Sequence, residues 1–291
     1  MNDKFYDRKK IIEIIKKNRN DINDEKIEKE LPNGYFVKCE NCNEIIIFER
    51  FKLNFFCCIK CDFHHFMPIN ERLYMLFDNN YNELQSEHSF KNPINFPNYV
   101  EKLNDTKNKT GYNEAITWGE GIINNYKIVY FILNPKFLMA SMGSYVGEQI
   151  YLAFEYATKN GLPILGISAS GGARMQEGII SLMQMAKTIS AVKEHSKKNL
   201  LYISLLTNPT TGGVSASFAL LGDINLAEPK ALIGFAGPRV IKETIGEELP
   251  NNFQKSEFLE EKGFVDMVIN RNNQKEIITK ILKLHNINKE L

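Results

Sequence analysis

Beyond residue 114 the apolar positions fall into alternating kinds of run. KIVYFIL (127–133) is almost continuously apolar, the pattern of a strand covered on both faces. Across 145–161, Val146, Ile150, Ala153, Phe154 and Ala157 recur at helical spacing, and Gly161 supplies a C-terminal stop. A second strand-like run follows at 162–168 (LPILGIS), then a helical pattern over 176–196 and a third strand at 200–206 (LLYISLL). Residues 213–222 (GVSASFALLG) read as a helix of small residues, and 224–237 as two short strands around Pro229. Strand, helix, strand, helix, strand is the order of right-handed crossover units, so an α/β domain is expected over 114–291.

The first part of the chain reads differently. Residues 1–34 are charged and of mixed sign, a solvated extension with one helical patch, KIIEIIKK. Residues 68–85 open with a proline and place Leu73, Leu76 and Phe77 on one helical face. Residues 86–113 are polar and interrupted by Pro93 and Pro97, the pattern of a surface connection.

Composition narrows the picture. The 291 residues suffice for one large domain and a small one, and 43% hydrophobic residues can fill a sizeable core. With 36 basic and 35 acidic residues the net charge is +1, so bulk attraction to nucleic acid or anionic membrane is not expected. No apolar run is long enough for a membrane span, and the N-terminus lacks the apolar core of a secretory signal, so an intracellular protein is expected.

All five cysteines, Cys39, Cys42, Cys57, Cys58 and Cys61, fall within residues 39–61. Cys39-x2-Cys42 and Cys58-x2-Cys61, fifteen residues apart, have the spacing of a two-knuckle zinc site, here placed on a ribbon over 35–67. Four thiolates close a tetrahedron and leave no position for water, so the ion should be structural. Cys57 cannot share a metal with its neighbour and is read as packing or surface. His64 and His65 follow closely and are the alternative ligands.

Two Gly-Gly pairs carry the other candidate chemistry. Gly171-Gly172 stands in SASGGARMQEG and Gly212-Gly213 in PTTGGVSASFALLGD. Each follows an expected strand and precedes an expected helix, where backbone N–H groups are free to meet a ligand. Neither matches a dinucleotide or Walker fingerprint. Two such corners converging from neighbouring strands would make an oxyanion hole of backbone donors; close helix packing is the alternative. Ser168 and Ser170 lack a nucleophile elbow. His88, His195 and His285 have no obvious acidic partner in sequence. Arg174 is either a salt-bridge residue or a ligand clamp. No general base emerges, so a reaction that brings its own base would fit.

These stretches, together with ASMGSYVGEQI (140–150), the continuous run 202–241 and FQKSEFLEEKGFVDMVI (253–269), resemble the β subunit of the bacterial and plastid-type acetyl-CoA carboxylase carboxyltransferase family over about 35–285. The resemblance implies a crotonase-like (ClpP/crotonase) α/β fold of repeated ββα units behind a C4 zinc ribbon. It implies transfer of CO2 from carboxybiotin to acetyl-CoA, giving malonyl-CoA for fatty-acid synthesis. The ureido nitrogen of biotin would take the methyl proton, and the two glycine corners would hold the enolate oxygen. Ser170, Arg174 and Gly143 are the candidate substrate contacts. Implied partners are a carboxyltransferase α subunit in an α2β2 assembly, a biotin carboxyl carrier protein and biotin carboxylase, together an ATP-binding complex in a bacterial cytoplasm or a plastid stroma. Two other readings remain: a nucleic-acid-binding ribbon, although 35–67 has few basic residues, and a hydratase-like enzyme using Glu148 and Glu177.

Overall fold

The strand-like runs line up in one sheet because they are apolar on both sides. The computed structural model describes residues 35–84, 92–246, 250, 252–285 and 287. The extension 1–34 and His88 lie outside the described residues. A first unit contains β1 (Phe36–Lys38), β2 (Ile45–Ile47) and α1 (Phe48–Leu53), with β1 and β2 antiparallel. Next come α2 (Ile69–Phe77), β3 (Tyr81–Glu83), α3 (Tyr99–Thr110), β4 (Ile116–Ile123) and β5 (Tyr126–Leu133). The crossover part follows as α4 (Ser144–Asn160), β6 (Ile164–Ser170), α5 (Ile179–Lys197), β7 (Tyr202–Thr211) and α6 (Gly212–Ser215). The chain closes through β8 (Ile224–Ala227), β9 (Ile233–Gly234), α7 (Pro238–Ile245), α8 (Ser256–Glu261), β10 (Met267–Val268) and α9 (Gln274–Leu284).

The main sheet has the order β10-β8-β7-β6-β5-β4-β3, with β9 also paired to β7. Strands β5, β6, β7 and β8 are mutually parallel, and β3, β4 and β5 antiparallel. Alternation along β5 explains its unbroken apolar run. Val129, Phe131 and Leu133 join a core with Ile150 and Phe154 of α4. Ile128, Tyr130 and Ile132 face the other way, into a core with Leu73, Leu76 and Phe77 of α2 and Ile278 and Leu282 of α9. Among the described residues no helix is long and apolar enough to cross a membrane.

Several expectations needed correction. Strand β4 carries no strand-like run, because two glycines interrupt ITWGEGII. They are there for close approach: a Cβ on Gly119 would fall 2.0 Å from Asn82 O, and one on Gly121 would fall 2.5 Å from the Phe77 ring. The polar connection contains α3, whose apolar face is reduced to the buried Tyr99 and Leu103. The helix expected over 213–222 shrinks to α6 and a single turn at Phe218–Leu220. Ser215 Oγ donates to Gly212 O and Gly234 O, and Ser217 Oγ to Gly213 O, bonds that draw the backbone away from a longer helix. The first glycine pair, unlike the second, is not at an α-helix start: a 3-10 turn (Met175–Glu177) and Gly178, at φ 54°, intervene before α5.

Candidate active site and metal centre

In the cysteine-bearing unit, tight turns after β1 and after α1 bring two cysteine pairs face to face. The Sγ atoms of Cys39, Cys42, Cys58 and Cys61 all lie within 4.8 Å of one another. Cys39 and Cys61 are 3.7 Å apart, as are Cys42 and Cys58. Tetrahedral zinc–thiolate bonds of about 2.3 Å require sulfur pairs about 3.8 Å apart, so the donor set fits one zinc ion. Asn41 Nδ2 donates to Cys61 Sγ at 3.4 Å and pulls that thiol down to about 6, easing its deprotonation. Cys57 turns away: its thiol contacts Phe55 O, and burial pushes it up to about 12. His64 and His65 do not join the cluster.

The two Gly-Gly pairs do come together. A Cβ on Gly172 would fall 3.1 Å from Gly212 Cα, and one on Gly212 would fall 3.0 Å from Gly172 Cα. Both glycines have positive φ, 115° and 65°, which a side chain would strain. Their N–H groups divide unequally. Gly171 N donates to Met139 O, Gly172 N to Ser170 Oγ and Gly212 N to Phe235 O. Gly213 N, in the first turn of α6, has no acceptor among the described residues, and neither has Ala173 N. Gly213 N lies 3.4 Å from where a Gly172 Cβ would stand. The sequence had no means to rank the four glycines, because ranking depends on which N–H the tertiary fold already engages.

The other candidate contacts sit behind the corner. Ser170 is buried, donating to Ala140 O at 2.6 Å while accepting from Gly172. Arg174 is 0% exposed and clamps Glu114 through two bonds, at 2.6 and 2.7 Å, with a third to Ser141 O. Burial works against its charge, but Glu114 outweighs burial and keeps it firmly protonated. This is the salt-bridge alternative, with no donor turned toward solvent. Glu177, also fully buried, accepts from Tyr99 Oη and Ser144 N. Gly143 is small because of that carboxylate: a Cβ there would meet Glu177 Oε1 at 2.3 Å. Glu148 pairs with Lys187 instead, so the two glutamates of the hydratase reading are bound to different partners. His195 is packed against Thr158 and Phe154.

Exposed apolar side chains stand at the corners, in Met139 and Phe235, and along the segment that follows the first glycine pair. Met139, Met175, Ile179, Leu182, Met183 and Phe235 are all exposed large hydrophobic residues. Met139 abuts Gly171, and Phe235 supplies the carbonyl that holds Gly212. Such a patch at a candidate site marks an interaction surface.

Known proteins resemble this chain along most of its length. A family model described as the carboxyl transferase domain matches residues 84–289. The acetyl-coenzyme A carboxylase carboxyl transferase subunit beta of Carboxydothermus hydrogenoformans is 52% identical over 259 residues, covering 89% of this chain and 92% of its own. The protein of the same name from Clostridioides difficile is 50% identical over 252 residues, covering 86% and 89%. Among solved structures, transcarboxylase 12S with hydrolysed methylmalonyl-coenzyme A bound superposes with a TM-score of 0.64 at 23% identity, over 74% of this chain and 41% of that one. The Pseudomonas malonate decarboxylase MdcD–MdcE heterodimer gives 0.58 at 20% identity, over 74% and 85%. These two likenesses establish a shared fold.

Proposed function

Because the chain belongs to the carboxyl transferase family, among the acetyl-CoA carboxylase carboxyltransferase β subunits, we propose that its glycine corners stabilise the enolate of acetyl-CoA while malonyl-CoA is formed. The observation that carries this reading is the face-to-face approach of Gly172 and Gly212, which leaves the unengaged Gly213 N–H beside the bare Cα of Gly172. An oxygen that gains negative charge only during reaction is best held by fixed donors of this kind. Gly213 N–H, with Ala173 N–H as its neighbour, is the donor pair on this chain. Gly171, Gly172 and Gly212 shape the corner and lock it, and Ser170 holds Gly172 in place. The Arg174–Glu114 pair and the Tyr99–Glu177 bond stiffen the segment from behind. None of these four buried groups serves as a base here, since all are bonded inward.

Carboxybiotin, docked by its carrier protein, would supply the activated carboxyl group and the base. The exposed apolar rim is assigned to a carboxyltransferase α subunit that completes the site, in an α2β2 assembly served by the biotin carboxyl carrier protein. ATP use belongs to biotin carboxylase in the same complex, and the compartment is the cytoplasm of a bacterium. The cysteine set carries one structural zinc in a ribbon over 35–67, with the transferase domain behind it. The nucleic-acid reading of the ribbon is not favoured, since the family model and the named relatives are carboxyl transferases.

The test is to co-express the chain with its cognate α subunit, purify the complex, and follow malonyl-CoA formation from carboxybiotin and acetyl-CoA. The complex should turn over and the isolated chain should not. Full transferase activity from the isolated chain would overturn the split site.

A further inference from the structure

Between the cysteine-bearing unit and the main sheet lies a cavity of about 330 Å³. Its floor is formed by β5, β6 and β7, through Ile132 and Ala169 near the C-terminal ends of the first two strands and Thr207 in the third. Strand ends of a parallel sheet are where such folds bind ligands. The roof brings His64 and His65, each more than nine-tenths buried, at 8% and 7% exposure. The Nε2 atoms of both rings make no hydrogen bond, and His64 Nδ1, 3.4 Å from Glu228 Oε2, is out of hydrogen-bond alignment. Buried polar atoms normally have partners, so both rings call for one in the cavity they line.

The charge of the wall says which kind of partner. Arg72 and Arg271, both buried, share the single carboxylate of Glu228, with bonds of 2.9 Å from Arg72 and 2.9 and 2.6 Å from Arg271. Two guanidinium groups against one carboxylate leave one positive charge in excess, and an uncompensated buried charge is unfavourable. Lys136 stands exposed at the mouth, its Nζ 4.6 Å from the Phe66 ring centroid, with no carboxylate paired to it among the described residues. Glu40 also borders the cavity, but its side chain is 79% exposed and its oxygen is 3.9 Å from His65 Nδ1. Excess positive charge and unpartnered ring nitrogens together suit an oxyanion.

We infer that this cavity, between the cysteine-bearing unit and the sheet, is a binding site for a phosphate-class oxyanion. It stands on its own residues and does not depend on the glycine corners. Two sources carry that group: free inorganic phosphate, and a phosphate of the nucleotide half of coenzyme A. The experiment is calorimetric titration of the zinc-loaded full chain with inorganic phosphate at low salt, where charge attraction is least screened. Saturable binding is expected, weakened at least tenfold in both Lys136→Glu and His64→Leu. Lys136 is at the surface, so its variant keeps the test valid if the His64 variant unfolds. Competition by adenosine 3′,5′-bisphosphate would identify the nucleotide as the source, and binding without competition would identify the free anion. Absence of saturable binding, or unchanged affinity in Lys136→Glu, would overturn the site.

Discussion

Gly172 and Gly212 meet through their bare Cα atoms, so each occupies the space that a side chain on the other would need. The contact brings the end of β6 against the start of α6 and fixes the path of both corners. Gly172→Ala would strain a φ of 115° and push into Gly212 Cα and Thr211 O, all backbone. Strain at such a position costs about 1–3 kcal/mol. Thermal unfolding of Gly172→Ala and Gly212→Ala should show a lowered midpoint and loss of turnover together. Wild-type stability in both would mean that the corners do not meet this way.

Gly213 provides a cleaner test of the oxyanion donor. Proline is accepted in the first turn of a helix because no N–H is needed there, so Gly213→Pro deletes the proposed donor. Gly213→Ala keeps the N–H and adds bulk against Met185 Sδ, at 3.1 Å, and Ala173 Cβ, at 3.4 Å. The donor reading expects kcat of the α–β complex to fall about a hundredfold or more in the proline variant, with a far smaller fall in the alanine control. Equal losses in both would assign the position to packing.

Zinc content distinguishes the cysteines. Serine at Cys39, Cys42, Cys58 or Cys61 should abolish stoichiometric zinc and lower the unfolding midpoint, since ligand loss in a structural site removes folding free energy. Cys57→Ser should retain one zinc per chain, because that thiol lies outside the cluster. Elemental analysis of the purified variants decides the matter, and zinc loss in Cys57→Ser would exclude the four-cysteine site.

Glu228 joins the cysteine-bearing unit to the sheet and to α9. Arg271 bonds it while also donating to Phe55 O and His65 O, and Gln274 adds a further bond. Burial by itself would raise its carboxyl, but Arg72 and Arg271 outweigh burial and hold it well below 4.5. A folded-state pKa below the unfolded one gives stability that is present above about 4.5 and is lost as pH falls through the folded value. Glu228→Gln should therefore lose about 3–5 kcal/mol at neutral pH, by leaving two arginines uncompensated. Its deficit against wild type should shrink as the pH is taken below 4.5. Urea titrations at several pH values measure this, and a deficit independent of pH would contradict the assignment.

The apolar rim predicts where the α subunit docks. Met183→Glu changes a side chain that is 57% exposed, so folding should be untouched while co-purification with α and complex activity both fail. A variant that still assembles would move the interface elsewhere.

The sequence by itself determined the elements whose pattern follows local geometry. The continuous apolar runs gave β5, β6 and β7, the 3.6-residue spacing ending at Gly161 gave α4, and the paired cysteine spacing gave the metal set. Long shared motifs pointed to the family. What local pattern could not carry was decided in three dimensions. Strand β4 hides behind Gly119 and Gly121, whose smallness answers to Asn82 and Phe77 from distant parts of the chain. Arg174, read as either clamp or salt bridge, is a buried partner of Glu114, sixty positions away. Among the four glycines, only the folded chain distinguishes Gly213, because Met139, Ser170 and Phe235 engage the N–H groups of the other three. A hydrogen-bond donor is free or engaged according to what is packed beside it, and packing is a property of the assembled fold rather than of neighbours in sequence.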